Sequence, residues 1–193
     1  MNIPEDKRIV IIGCGRSGTK FISKHLGLIH EKQEDNILRR LGKYFGVVGK
    51  DMMPKRGIAC WQSVVDDNSY YTIEPSDYVL HQVRNPIDTI SSSHAIKLKE
   101  SWDLIISNVK EISKNDSLLL KCMKYWYYWN LMAENRALET YRVEEIKSKV
   151  SKDTNTRIKS DLYRKVSWSD MEKEDSDLTS QIRSLAIRYG YDL

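Results

Sequence analysis

The sequence predicts an α/β three-layer sandwich with a mainly parallel central sheet of four to five strands. Two observations carry that expectation. Apolar runs at Arg8 to Ile12 and at Tyr78 to Val83 each lead through a turn into a helical pattern. Alternating strand and helix is the mark of a sheet covered by helices. The first run, Ile9-Val10-Ile11-Ile12, is also β-branched and continuous, as in a strand buried on both faces of a parallel sheet.

The elements follow in order. After the first strand and a glycine-rich turn, Phe21, Ile22 and Leu26 are the apolar positions of a short helix packing back on it. Leu26 to Ile29 fits a second short strand. Asn36 to Tyr44 reads as a helix, and Ile58 to Val65 as another, anchored by Trp61. Beyond Tyr78 to Val83 the chain turns at Asn85-Pro86 and starts a helix that runs to about Leu98. Asn suits the N-cap, Pro the first helical position, and Asp88 the positive first turn. Leu118 to Leu138 is the longest helical stretch, with Cys122, Trp126, Trp129, Ala133 and Ala137 on one face. Tyr141 to Val143 reads as a short strand and the Lys, Ser and Asp-rich Lys147 to Asp161 as a mobile loop. Leu178, Ile182, Leu185, Ala186 and Tyr189 mark a last helix.

A length of 193 residues fits one domain, and no repeat, low-complexity tract or boundary divides residues 1–193. With 40% hydrophobic and 30% charged residues the chain has material for a core and lacks the composition of a disordered one. Lys and Arg number 31 against 27 Asp and Glu, a net charge of +4. That excess is too small for a histone-like coat, so no nucleic-acid partner is expected, but it allows a local pocket for a small polyanion. Cys14, Cys60 and Cys122 form no CxxC pair, which suggests neither a disulfide framework nor a zinc site. The first residues carry charge where a signal peptide needs an apolar stretch, and no apolar run approaches a membrane span. The expectation is a soluble, reduced, cytoplasmic protein with no membrane partner and an open oligomeric state.

Gly13-Cys14-Gly15-Arg16-Ser17-Gly18-Thr19-Lys20 is the most informative segment. A strand ending in such a turn, with a helix opening from it, aims several backbone N–H groups and the positive helix end at one point. Gly13, Gly15 and Gly18 match the dinucleotide fingerprint GxGxxG, with Glu31 near the place of a ribose-binding acid. A nucleotide triphosphatase loop would need Gly-Lys-Ser/Thr, and here the order is Gly18-Thr19-Lys20. A bare strand–helix turn would have little use for a basic residue among three glycines. Further on, Arg84 ends an apolar strand, where a charge needs a partner, and lies at the same sheet edge as the glycine-rich loop.

Arg16-Ser17-Gly18-Thr19 after a buried strand resembles the 5′-phosphosulfate loop of sulfotransferases that use 3′-phosphoadenosine 5′-phosphosulfate, most cytosolic members having Lys where Arg16 stands. Arg84-Asn85-Pro86-Ile87-Asp88, with Ser92 further on, resembles the family's 3′-phosphate motif. Tyr141 to Ile146 and Trp126 to Asn130 are weaker echoes, so the likeness spans Arg8 to Ile146. The C-terminal Arg, Lys-Gly and glycines of many cytosolic members are absent; Arg157, Lys159 and Arg164-Lys165 are the basic residues available in their place.

The resemblance implies a P-loop-like fold and transfer of a sulfuryl group to a hydroxyl or amine of a carbohydrate or small-molecule acceptor, without a metal. It implies Gly15, Arg16, Ser17, Gly18, Thr19 and Lys20 at the 5′ end of the donor and Arg84 and Ser92 at its 3′-phosphate. Arg16, with Lys20 as a helper, would face the bridging oxygen of the leaving phosphate. Some bacterial and carbohydrate members carry a Glu near the end of the second strand, so Glu31 is the expected general base and His30 the runner-up, with Gly57 and Trp61 as counterparts of a later Gly and Trp. Asp51, Asp66 and His81 are further carboxylates and imidazoles, His81 reading as a core histidine and His25 and His94 as helix-surface residues. Tyr125 to Trp129 could line an acceptor pocket, although helical spacing favours core packing for Trp126 and Trp129. A P-loop kinase-like phosphotransferase and a nucleotide-binding module without a base are the alternatives.

Overall fold

The computed structural model describes residues 6–30, 57–65, 73–98, 101–150 and 165–193. The expected helix Asn36 to Tyr44, the acids Glu31, Asp51 and Asp66, and the basic Arg157, Lys159 and Arg164 lie outside these residues. Five strands, β1 (Ile9–Ile12), β2 (Ile29–His30), β3 (Gly57–Ala59), β4 (Tyr78–Val83) and β5 (Glu139–Arg142), form one sheet in the order β2-β3-β1-β4-β5. Every pairing is parallel, with Ile9 opposite Gly57 on one side and Ile12 opposite His81 on the other.

Helices cover both faces. Helix α1 (Thr19–Leu26) follows β1 and α5 (Val143–Val150) follows β5. With them, Ile11, Ala59, Leu80 and Tyr141 form one apolar layer around Ile22 and Leu28. Val10, Ile12, Ile58 and Val79 point the other way, as the period-two alternation of a strand requires. They meet α2 (Pro86–Ile96), α3 (Trp102–Asn108), α4 (Leu118–Glu134), α6 (Trp168–Glu174) and α7 (Ser176–Arg188). Trp126 and Trp129 of α4 are at most 1% exposed and centre this second layer. None of the described helices is long and apolar enough to cross a membrane.

Several elements differ from the sequence expectation. Ile58 to Val65 is not a helix: Gly57–Ala59 is a strand beside β1, and Gln62–Val64 is one 3-10 turn. A three-residue apolar run carries no periodicity, and the pairing with Ile9 to Ile11 decides its state. Leu26 ends α1 rather than starting a strand, because Gly27 takes the left-handed C-cap and returns its N–H to Ser23. Helix α4 stops at Glu134, since Leu138 must donate to the Val79 carbonyl at 2.9 Å to lead in β5. Lys147 to Val150 is the end of α5, with Glu144 and Glu145 in the first turn where the helix dipole favours them, and not loop. The start of α2 is as read: Asn85 accepts from the Asp88 amide at 3.3 Å and Pro86 is the first helical residue.

Candidate functional site

Chain order places the site. From β1 the chain crosses to one side of the sheet, and from β4 to the other, and these two strands are neighbours. Their carboxyl ends therefore flank the crevice where connections diverge, the place where open α/β sheets bind ligands. The glycine-rich loop leaves β1 there and Arg84-Asn85-Pro86 leaves β4 beside it.

Several peptides of the loop have partners that orient them. Gly15 donates its N–H to the Tyr125 hydroxyl at 2.8 Å, and Ser17 its N–H to the Cys14 carbonyl at 3.1 Å. A Cβ on Gly15 would lie 2.7 Å from the Tyr125 Oη, so any larger residue there would have to displace that hydroxyl. The Ser17 carbonyl accepts from Gln82 Nε2 at 3.1 Å. At α1 the Gly18 carbonyl takes the Phe21 and Ile22 amides, while no side chain caps the helix and no acid sits in its first turn. The N–H groups of the first turn have no acceptors within a helix, so those of Gly18, Thr19 and Lys20 are the set the loop offers an anion.

Arg16 sits at the exposed tip with φ +73, a left-handed conformation that costs an L-residue about 1 kcal/mol. That turn brings the two sequence motifs into contact. Arg16 Nε donates to Ser92 Oγ at 3.0 Å, and Arg84 Nη1 donates to the Arg16 carbonyl at 3.2 Å. Ser92 is buried on α2, and the Arg84 side chain is 11% exposed with the Asp88 carboxylate 3.9 Å away. Lys165 holds the other Asp88 oxygen at 2.6 Å. Lys20 is exposed at the start of α1.

Helix α4 is the back plate of this edge. Besides Tyr125 on Gly15, Trp126 Nε1 donates to the Arg84 carbonyl at 3.4 Å and Trp129 Nε1 to the Trp61 carbonyl at 3.2 Å. Their bodies are in the core and their polar tips fasten three site loops. Tyr125, Trp126 and Trp129 are thus sealed off and do not line an acceptor pocket, while Tyr127 and Tyr128 are half-buried against the core. The Cys14 thiol, also sealed, is pushed up by burial and is no nucleophile. On the β5 side, Asn85 donates its N–H to Glu144 at 3.1 Å and Tyr191 its hydroxyl to the same carboxylate at 2.9 Å. Asn85, Asp88, Arg142, Glu144, Glu145 and Tyr191 line an open cavity of about 430 Å³ there.

The imidazoles separate clearly. His30, at the carboxyl end of β2, lies 3.3 Å from Thr19 Oγ1 through its Nε2 and is 5% exposed. It therefore reaches the start of α1. His81 is fully buried, with Nε2 3.1 Å from Asn130 Oδ1 and Nδ1 3.1 Å from Thr140 Oγ1. It is a core histidine, as the strand pattern indicates. His25 is exposed on α1 and His94 half-buried on α2.

Gln82, Tyr125 and Tyr141 shape the loop; the sequence offers Tyr125 only as a wall of an acceptor pocket and assigns Gln82 and Tyr141 no site role. Gln82 was legible as an uncharged polar residue inside an otherwise buried strand, which has to find a partner. In comparisons with known proteins, no family model, no curated protein and no solved structure matches the chain.

Proposed function

We propose that this chain is a sulfotransferase that moves a sulfuryl group from 3′-phosphoadenosine 5′-phosphosulfate to a hydroxyl or amine of a carbohydrate or small-molecule acceptor. The observation that carries the reading is the contact between the two motifs. Arg16 on Ser92 and Arg84 on the Arg16 carbonyl bring two guanidinium groups, an uncapped helix start and a buried hydroxyl within reach of one compact polyanion. A ligand with two separate phosphate ends is what such a pair suits, since each guanidinium can make two charge-assisted bonds to one phosphate. The P-loop-like character of the fold belongs to this proposal. So does a cytoplasmic setting, which three buried cysteines without a CxxC spacing, Cys14, Cys60 and Cys122, favour.

In the transfer, the bond from sulfur to the bridging oxygen of the donor breaks and a bond from sulfur to the acceptor oxygen or nitrogen forms. The acceptor proton passes to a base, and negative charge grows on the departing phosphate. Arg16 exchanges the Ser92 hydroxyl for that phosphate, and Arg84 with Ser92 then holds the 3′-phosphate. The amides of Gly18, Thr19 and Lys20 cradle the 5′ end, and the Lys20 side chain adds charge there. Ser17 and Thr19 add hydroxyls. Glu31 is the proposed base; His30 precedes it in sequence and reaches Thr19, which makes it the second candidate.

Calorimetry without magnesium tests the reading. Adenosine 3′,5′-bisphosphate should bind more tightly than ATP, and the donor should sulfate a hydroxyl or amine from a panel of sugars and phenols. Glu31→Ala should then abolish turnover while sparing donor binding. Tight binding of ATP that depends on magnesium, with none of the bisphosphate, would overturn the reading in favour of a phosphotransferase. Donor binding with no sulfated product from any acceptor would point to a binding module.

A further inference from the structure

Beneath the glycine-rich loop, three buried polar side chains form a chain that ends on its backbone. Tyr141 on β5 donates its hydroxyl to Gln82 Oε1 at 2.7 Å. Gln82 on β4 turns Nε2 to the Ser17 carbonyl at 3.1 Å and to Ser17 Oγ at 3.5 Å. Gln82 is fully buried, Ser17 is 1% exposed and Tyr141 is 7% exposed. A carbonyl only accepts, so the Gln82 amide must present its nitrogen to Ser17 and its oxygen to Tyr141.

The consequence for the loop is geometric. The Ser17–Gly18 peptide is trans and planar, so its C=O and N–H point in opposite directions. Holding the Ser17 carbonyl inward on Gln82 turns the Gly18 N–H outward, to the side of the Thr19 and Lys20 amides. Because Gln82 also approaches Ser17 Oγ as a donor, the Ser17 hydroxyl keeps its own proton to give to an anion. Gly15, by contrast, has its N–H committed to Tyr125.

We infer that Gln82 and Tyr141 are positioning residues that set the polarity of the anion-binding loop: they face Gly18 N–H and the Ser17 hydroxyl toward a phosphate group while Tyr125 withdraws Gly15 N–H from it. The inference deepens the reading of this loop as the site for the 5′ end of the donor and rests on it for the identity of the ligand. The relay itself concerns any phosphate-like anion.

Amide NMR during titration with inorganic pyrophosphate and, separately, with adenosine 3′,5′-bisphosphate tests it. In the unaltered chain the Gly18, Thr19 and Lys20 amide protons should move downfield and the Gly15 amide should stay. Gln82→Met keeps the length of the side chain without its donor, and should weaken both anions about tenfold, with the Gly18 displacement lost. Tyr141→Phe, which removes one hydroxyl, should weaken them about threefold and covers the case in which the Gln82 variant does not fold. Movement of Gly15 in place of Gly18, or undiminished affinity and an unchanged Gly18 displacement in the variants, would overturn the inference. If neither anion moves Gly18 in the unaltered chain, it is overturned as well. Pyrophosphate moving Gly18 with no preference for the bisphosphate would keep the relay and remove the sulfotransferase reading; the bisphosphate binding while Gly18 stays still would do the reverse.

Discussion

Protonation of His81 should make folding stability fall steeply in mild acid. The ring is fully buried, and desolvation holds its pKa down from 6.5 to about 4, against a smaller raising effect of the Asn130 hydrogen bond. The amide of Asn130 is itself fixed, because its Nδ2 donates to the Trp126 carbonyl at 2.7 Å. Its Oδ1 therefore faces His81, which must carry its proton on Nε2 and accept the Thr140 hydroxyl at Nδ1. A neutral ring satisfies both partners, and a charged one would put a cation at a buried position, which is the desolvation that lowers the pKa. Between pH 6.5 and 4 the unfolded chain binds more protons than the folded one, so stability falls as the pH drops through that window. The contribution is complete above pH 6.5, and about 2.5 kcal/mol of it should be lost between pH 7.5 and pH 4.5. Urea unfolding at the two pH values measures the loss, and His81→Gln supplies the background from other titrating groups. If the unaltered chain loses no more stability than His81→Gln over that interval, His81 does not titrate as its surroundings require.

Two further substitutions probe the frame around the site. Gly57→Ala should cost about 4 kcal/mol in urea unfolding, because φ is +128 and the added Cβ would lie 1.9 Å from the Ile9 carbonyl oxygen. A loss below about 1 kcal/mol would contradict the close pairing of β3 with β1. Asp77→Ala should cost about 2 kcal/mol by the same assay. It removes a buried carboxylate that accepts two bonds from Arg8, at 2.7 and 2.5 Å, and the Glu74 amide at 2.7 Å. An unchanged unfolding midpoint would mean the pair adds nothing to the lead-in of β4.

What could be read from sequence was what is decided locally. The continuous apolar run of β1, the caps at Asn85-Pro86 and the one-faced pattern of Trp126, Trp129 and Ala133 each carry their own signal. The strand Gly57–Ala59 does not, since three apolar residues become a strand only by pairing with β1. Helix α3 is short and lacks a side-chain cap, so little marked it. Helix α6 did carry a mark, the reciprocal capping box of Ser167 and Asp170. At the site, Arg16 and Arg84 were legible as charges at two strand ends, but their contact depends on the register that sets Ile12 opposite His81. Tyr141 was hidden for the same reason, since inside a strand it looks like an ordinary core position. Gln82 stands out as a polar residue in a buried strand, but its partners, Ser17 and Tyr141, are remote in the chain and carry no local signal.

The most direct measurement compares adenosine 3′,5′-bisphosphate with adenosine 5′-monophosphate by calorimetry, on the unaltered chain and on Arg84→Ala. If Arg84 and Ser92 hold one end of a nucleotide whose other end rests on the loop of Arg16, the additional 3′-phosphate should strengthen binding by at least about tenfold. Arg84→Ala should erase most of that increment and leave the monophosphate nearly as it was. Equal affinities for the two nucleotides in the unaltered chain would contradict the account.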